Sequence, residues 1–351
     1  MKTLLLCLFI ISGCASWKQK DFEKELDRPS EEAQPQVATT KKEEKILEKF
    51  EVQPVDETKV EAKKEEPKVV KKVVEKRDGK TVIKIVTVTT TVVVPVIKSP
   101  PKDYPAELLK VNEKAKKVWD LYKPNHYVDE KVYLDIHYLG MTVGKIMVLN
   151  KGKKMINDKE VWHLHARFKS APFYSNIYEL DDTVDTYVTT DHFLSSRYSL
   201  IQRESKQDID DLQLHDRDQF KTFWFYHQKK SDGSVKDKKV EKPIPYYSID
   251  PFSVLFFYQG LPLKDKDVYE IPIINKGKIL ILRSEVEGRE VIETVKGSKK
   301  AIRLHATTKY TGETLKSGDI YFWFSDDSRR TLLKAQAKIN LGSVTADLVD
   351  Q

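Results

Sequence analysis

Val161-Trp162-His163-Leu164-His165-Ala166-Arg167-Phe168 sets Trp162, Leu164 and Ala166 against Val161, His163 and His165 at a strict period of two. That period belongs to a β-strand, in which alternate side chains share a face, so this run reads as a half-buried strand. Similar short segments recur on both sides of it, at 132–139, 145–150, 184–189, 196–202, 220–226, 268–274, 278–286, 289–294, 300–308, 320–324 and 332–340. Turn residues separate them and helical windows are few. The pattern predicts an all-β domain over 128–351: a strongly curved antiparallel sheet or open β-barrel with one or two short helices. One helix is expected within 248–259, where Asp250-Pro251 can start it and Val254, Leu255 and Tyr258 can share a side. The acidic stretch 208–219 reads as a loop.

The chain changes character toward its N-terminus. Residues 98–127 hold a proline-marked boundary (Pro100, Pro101, Pro105) and an amphipathic helix with Leu108, Val111, Ala115, Val118 or Trp119, and Tyr122 at spacings of three and four, expected to lie on the β domain as a lid or strap. Residues 68–97 are rich in Val and Thr about Asp78-Gly79, the pattern of a β-hairpin. Residues 14–67 are Lys, Glu, Gln and Pro with no sustained apolar period, and read as a long disordered tether. Within it, 41–50 can turn helically with Ile46, Leu47 and Phe50 on one side, but so short a helix is marginal alone. Counted as about 85 residues of coil, the connection would reach roughly 50 Å.

At 1–13, Lys2 precedes the apolar run Leu4 to Ile11, too short to span a bilayer and suited to a signal peptide. Ile11-Ser12-Gly13-Cys14 resembles the bacterial lipobox, which implies acylation of Cys14 and cleavage before it. Ala15 stands where Asp would favour inner-membrane retention, so the expected address is the outer membrane, facing the periplasm. Cys7 and Cys14 are the only cysteines, leaving none to pair after maturation. The net charge of +7 is spread through interspersed Lys and Glu, which argues against a nucleic-acid partner.

Several short motifs of the β domain resemble the domain of unknown function 3108 family. They include Tyr138-Leu139-Gly140-Met141-Thr142-Val143-Gly144-Lys145, Ser248-Ile249-Asp250-Pro251-Phe252-Ser253, Val286-Glu287-Gly288-Arg289-Glu290, Phe322-Trp323-Phe324-Ser325-Asp326-Asp327 and Leu341-Gly342-Ser343. The resemblance covers about 132–348. It implies an exported protein whose architecture is similar to the curved-sheet carriers that shield lipid in the bacterial envelope, and it supplies no catalytic residue.

Candidate chemistry is sparse. His163 and His165 share a strand face and could bind zinc with a third ligand such as His305 or an acidic residue on a neighbouring strand. Asp181, Asp182 and Asp185 lack the glycine of a calcium loop, and Asp191-His192 with Ser195 lacks the Gly-x-Ser-x-Gly elbow of a serine nucleophile. No phosphate or dinucleotide loop is present, and no cofactor is expected. The aromatic clusters Phe223-Trp224-Phe225-Tyr226 and Phe252, Phe256, Phe257 and Tyr258 suggest a ligand cavity, with Phe223, Phe225, Phe252 and Phe256 as its candidate lining. The expectation is a non-enzymatic envelope lipoprotein whose β domain binds an apolar ligand, a lipid for example, or an envelope protein. A structural tether joining the membrane to the cell wall or an assembly is the alternative, and a metal-dependent envelope enzyme the third.

Overall fold

The computed structural model describes residues 40–55, 73–77, 80–84, 99–310, 319–339 and 342–350. The apolar N-terminal run expected to be a signal peptide, Cys14 and most of the charged stretch after it lie outside them. The chain divides into two units, Pro54–Ser99 and the remainder. In the smaller unit β1 (Val73–Arg77) pairs antiparallel with β2 (Lys80–Lys84), with Arg77 opposite Lys80. Two β-branched arms around Asp-Gly favour this pairing. The rest of the Val/Thr-rich stretch, to residue 97, lies outside the described residues.

The larger unit is built on one 14-stranded antiparallel sheet. Its first eight strands in sequence are β3 (Val132–Tyr138), β4 (Met141–Ile156), β5 (Lys159–Ser170), β6 (Leu180–Thr189), β7 (Ser195–Glu204), β8 (Gln207–Asp216), β9 (Lys221–Lys230) and β10 (Val235–Pro243). The last six are β11 (Val268–Asn275), β12 (Lys278–Thr294), β13 (Gly297–Tyr310), β14 (Ile320–Ser325), β15 (Leu332–Lys338) and β16 (Ser343–Asp350). Each pairs with its neighbour in sequence, except that β16 pairs with β3 and β10 does not pair with β11. Joining the two ends of the domain in this way moves the open seam to the middle of the chain.

Local sequence explains the hairpins. Leu139-Gly140, Asn157-Asp158 and Lys276-Gly277 all have positive φ at both residues, the geometry whose twist matches a two-residue hairpin. Bulges interrupt the register at Asn150/Lys153 and Val286/Gly288, and such bulges bend long strands and so curve the sheet. The second bulge is why 278–286 and 289–294 read as separate strands although they form one, β12.

Both edges of the sheet are protected. β10 reads Val-Lys-Asp-Lys-Lys-Val-Glu-Lys-Pro and is mostly exposed, a charged edge that discourages further pairing. β11 carries Pro272, whose carbonyl accepts from Ile249 N while Ile249 O accepts from Ile274 N. The connector between the two edges thus folds back onto the β11 side.

Four helices accompany the sheet among the described residues: α1 (Lys41–Lys49), α2 (Ala106–Trp119), α3 (Pro172–Ser175) and α4 (Val254–Gln259). α2 covers the main core with Ala115, Val118 and Trp119, and the Trp119 ring lies 4.6 Å from Phe257. Its exit meets α4 at Gly260, where an added Cβ would fall 2.3 Å from Tyr122 and 2.4 Å from the Lys123 carbonyl. Only glycine permits that contact, which Lys123 N seals by donating to Gly260 O at 2.9 Å.

Two expectations need correction. The acidic stretch 208–219 is largely strand β8, not a loop; Asp211 and Gln213 are buried on its inner face, so polarity there does not mean exposure. The reading of 14–67 as a continuous tether fails at 40–55. Thr40 and Glu43 form a reciprocal capping box on α1, and Ile46 and Phe50 dock among Ile156, Val161, Tyr187, Leu212, Leu214, Phe223 and Phe225. A helix too short to stand alone is thereby stabilised by tertiary burial. Gln53 extends the attachment by exchanging backbone hydrogen bonds with Met155, both 2.9 Å.

Candidate functional site

The strands of the larger unit point apolar pairs two residues apart to the inner face: Leu134 and Ile136 on β3, Ile146 and Val148 on β4, Leu280 and Leu282 on β12, Ile320 and Phe322 on β14. Between them lies a cavity of about 390 Å³, most of whose wall is aliphatic or aromatic. The connector closes part of it with Pro251, Phe252, Val254 and Leu255. A volume of this size falls in the range of small-molecule sites, roughly 300 to 1,000 Å³.

A buried polar hub holds that connector in place. Asp250 Oδ2 accepts from Thr186 (2.6 Å), Ser195 (2.5 Å) and Ser253, while its Oδ1 accepts from the backbone N–H groups of Phe252 and Ser253 at 2.9 Å. Asp250 itself is completely buried. Nearby Arg217 donates to the carbonyls of Pro245, Tyr246, Ser248 and Ser195 and to the Ser248 hydroxyl. Burial lowers the Arg217 guanidinium to about 10, against the favourable field of Tyr246, Tyr104, Asp250 and Asp216. The Ser248-to-Ser253 motif is therefore a positioning device whose carboxylate pins the wall of the cavity to β6 and β7.

Polar groups interrupt the apolar lining at a few points. Asp182 accepts from Gln202 Nε2 at 2.8 Å, and both line the cavity. Lys276 also lines it, from the turn between β11 and β12, with its Nζ 3.2 Å from Asp211 Oδ2. Burial raises the Asp211 carboxyl, opposed by Lys276, Gln213 and Trp224. Lys276 N donates to Gln213 at 2.7 Å, so this turn bridges toward β8 across the seam that backbone pairing leaves open.

Of the four aromatics expected to line the cavity, Phe252 does so. Phe256 packs 5.7 Å from it and borders a smaller recess beside Tyr127 and Arg329. Phe223 and Phe225 occupy the opposite face of β9 beneath α1, because Trp224 and Tyr226 take the inward phase opposite Gln213 and Asp211. The aliphatic pairs that make most of the wall were missed, although their spacing of two was readable in each strand.

The candidate chemical groups separate in space. Ser195 is spent on Asp250, while His192 pairs with Asp191 at 3.0 Å, so no serine triad forms among them. Asp181 pairs with Arg167 and Lys169, Asp182 with Gln202, and Asp185 with the two histidines; the three carboxylates do not converge as a calcium site would require. His305 stands on β13, six strands from β5 along the sheet, and binds Asp319 at 2.8 Å. His163 Nε2 and His165 Nδ1 instead meet Asp185 Oδ1, at 2.6 and 2.8 Å. Burial lowers His163 despite Asp185. Burial alone would raise Asp185, but hydrogen bonds from both rings outweigh it and hold the carboxyl well below the usual range.

A family model described as "Protein of unknown function (DUF3108)" matches residues 134–349. Comparison with curated proteins gives no match. Among solved structures, the chain is similar to a β-barrel-like protein of domain of unknown function DUF1849 from Brucella abortus, at 9% identity, covering 63% of this chain and 95% of that one, with a TM-score of 0.42. It is also similar to a protein with a YmcC-like fold from Bacteroides fragilis, at 10% identity, covering 65% and 97%, with a TM-score of 0.29.

Proposed function

The chain belongs to the DUF3108 family, and on that premise we propose that it is a non-enzymatic carrier of an apolar ligand in the bacterial envelope, anchored by acylated Cys14. The observation that carries this reading is the cavity of about 390 Å³ with its largely apolar wall. Such a space favours a ligand that offers hydrocarbon along most of its length, and an acyl chain is the simplest that does. Asp182, Gln202 and Lys276 are among the polar groups of the lining that would orient its end. The apolar run before Ser12-Gly13-Cys14 supports export and lipidation, and Ala15 supports residence on the outer membrane facing the periplasm.

Docking of α1 shortens the leash this carrier works on. Thr40 is 26 residues beyond Cys14, so the first attached residue lies within about 90 Å of the anchor even at full extension. Mass spectrometry of the detergent-extracted full chain tests both parts of the proposal. Acylated Cys14 and a copurifying lipid are expected, and Leu200→Trp, which fills the cavity, should cut binding of a fluorescent fatty acid at least tenfold. An unmodified Cys14 would end the anchor reading, and absence of any saturable acyl probe binding would end the carrier reading.

A further inference from the structure

We propose that His163, His165 and Asp185 form a site for one divalent transition metal ion of the zinc class. It would lie on the outer face of the sheet, and none of the three residues lines the cavity. His163 and His165 are i and i+2 on β5, which puts both rings on one side of the strand. β5 pairs His165 with Asp185 on β6, so the carboxylate arrives between the rings. One ligand atom from each residue lies within 4.8 Å of the other two. Ligand bonds of about 2.0 to 2.1 Å around a tetrahedral ion put neighbouring ligand atoms roughly 3.3 Å apart. The distances of 2.6 and 2.8 Å from Asp185 Oδ1 to the two nitrogens would each have to open by about 0.5 to 0.7 Å, which small side-chain rotations supply.

The donor set and its surroundings fit the same ion. Two imidazoles and one carboxylate are ligands that zinc and ferrous iron accept, and three protein ligands leave a further position for water or an exogenous group. His165 is closed off at 2% side-chain exposure, whereas His163 and Asp185 keep 11% and 12%, which leaves an opening on their side. The Tyr187 ring stacks on His163 at 4.5 Å and limits its rotation. Without metal, each ring satisfies Asp185 with an N–H; with metal, each neutral ring moves that proton to its other nitrogen and presents a lone pair, with no net proton lost.

The test is calorimetric titration of Zn²⁺, and of Co²⁺ with its visible spectrum followed, into the full chain stripped with a chelator. One ion per chain is expected, with a Co²⁺ spectrum of nitrogen and oxygen ligation. His165→Gln should weaken binding at least 100-fold, and Asp185→Asn, which keeps the shape of the cluster, should weaken it at least tenfold. His305→Gln should leave binding unchanged. Absence of saturable binding at one ion per chain would overturn the proposal, as would binding that survives His163→Gln/His165→Gln in a chain with unchanged circular dichroism.

Discussion

Phe50→Ala probes the docking of α1, the element that turns a stretch of charged sequence into part of the domain. Phe50 is 3% exposed, and its ring packs in the cluster that holds Leu212, Leu214, Phe223 and Phe225. Truncating a buried Phe costs about 3 to 5 kcal/mol when the site cannot collapse. Here the ring lies in a peripheral segment, so the cost is drawn first from the attachment of 40–55 and not from the sheet. The remaining ties are Ile46, with Leu47 and Val52 beside it, the Arg197 bond to Phe50 O at 3.1 Å, the two Gln53–Met155 backbone bonds at 2.9 Å, and the ion pairs of Lys49 with Asp216, Lys42 with Glu241 and Glu43 with Lys239. A backbone hydrogen bond contributes about 1 kcal/mol net, and a partly exposed ion pair no more. The Phe50 ring is the largest apolar group that the segment buries, so its removal should shift 40–55 toward the undocked state. Hydrogen exchange read by mass spectrometry on peptides from 40–55 is the assay. Protection in the wild type should fall at least 100-fold in the variant, while β6 and β7 peptides keep most of theirs. Equal protection of 40–55 in both proteins would refute the reasoning, as would simultaneous loss across the sheet.

Asp250→Ala leaves three hydroxyls and two buried backbone donors without their acceptor; a loss of about 3 to 5 kcal/mol in urea denaturation is expected, whereas Thr186→Val should cost nearer 1 kcal/mol. His126, packed against Tyr122, Trp162 and Phe193, is lowered to about 4 by burial. Its folded pKa lies below the unfolded value near 6.5, so between those values only the unfolded chain takes the proton and stability falls as pH falls. Between pH 7.5 and 4.5 this should remove roughly 2 to 3 kcal/mol in the wild type that His126→Gln does not lose, read as the difference between their urea curves at the two pH values.

The strands legible in the sequence were those with one apolar and one polar face, such as β3 and β12. β8 was not, because its apolar residues Leu212 and Leu214 face α1 while Asp211 and Gln213 face inward. Its alternation is intact but inverted in polarity, and a local pattern cannot say which face another segment will cover. β10 has polar residues on both faces and so carries no alternation to read. The helical side of α1 was readable as Ile46, Leu47 and Phe50; the patch that receives it is assembled from β4, β5, β6, β8 and β9, more than 100 residues further on. Long-range complementarity of that kind is absent from any one window.

Of the four aromatics that the sequence offers as cavity lining, Phe252 alone takes that place, for a related reason. Aromatic clusters attract attention because each ring buries a large area, yet a residue that buries well also fills space. A cavity needs walls that stand apart, which the aliphatic pairs on β3, β4, β12 and β14 provide across the curved sheet. It also needs a stop that keeps the connector from collapsing into it. Asp250 supplies that stop: its five acceptor contacts hold Ser253 and the start of α4 against β6 and β7. Phe252 and Leu255 can then border the space without filling it. A carboxylate that reads in the sequence as a helix-start signal therefore braces the connector that walls the cavity, without itself lining it.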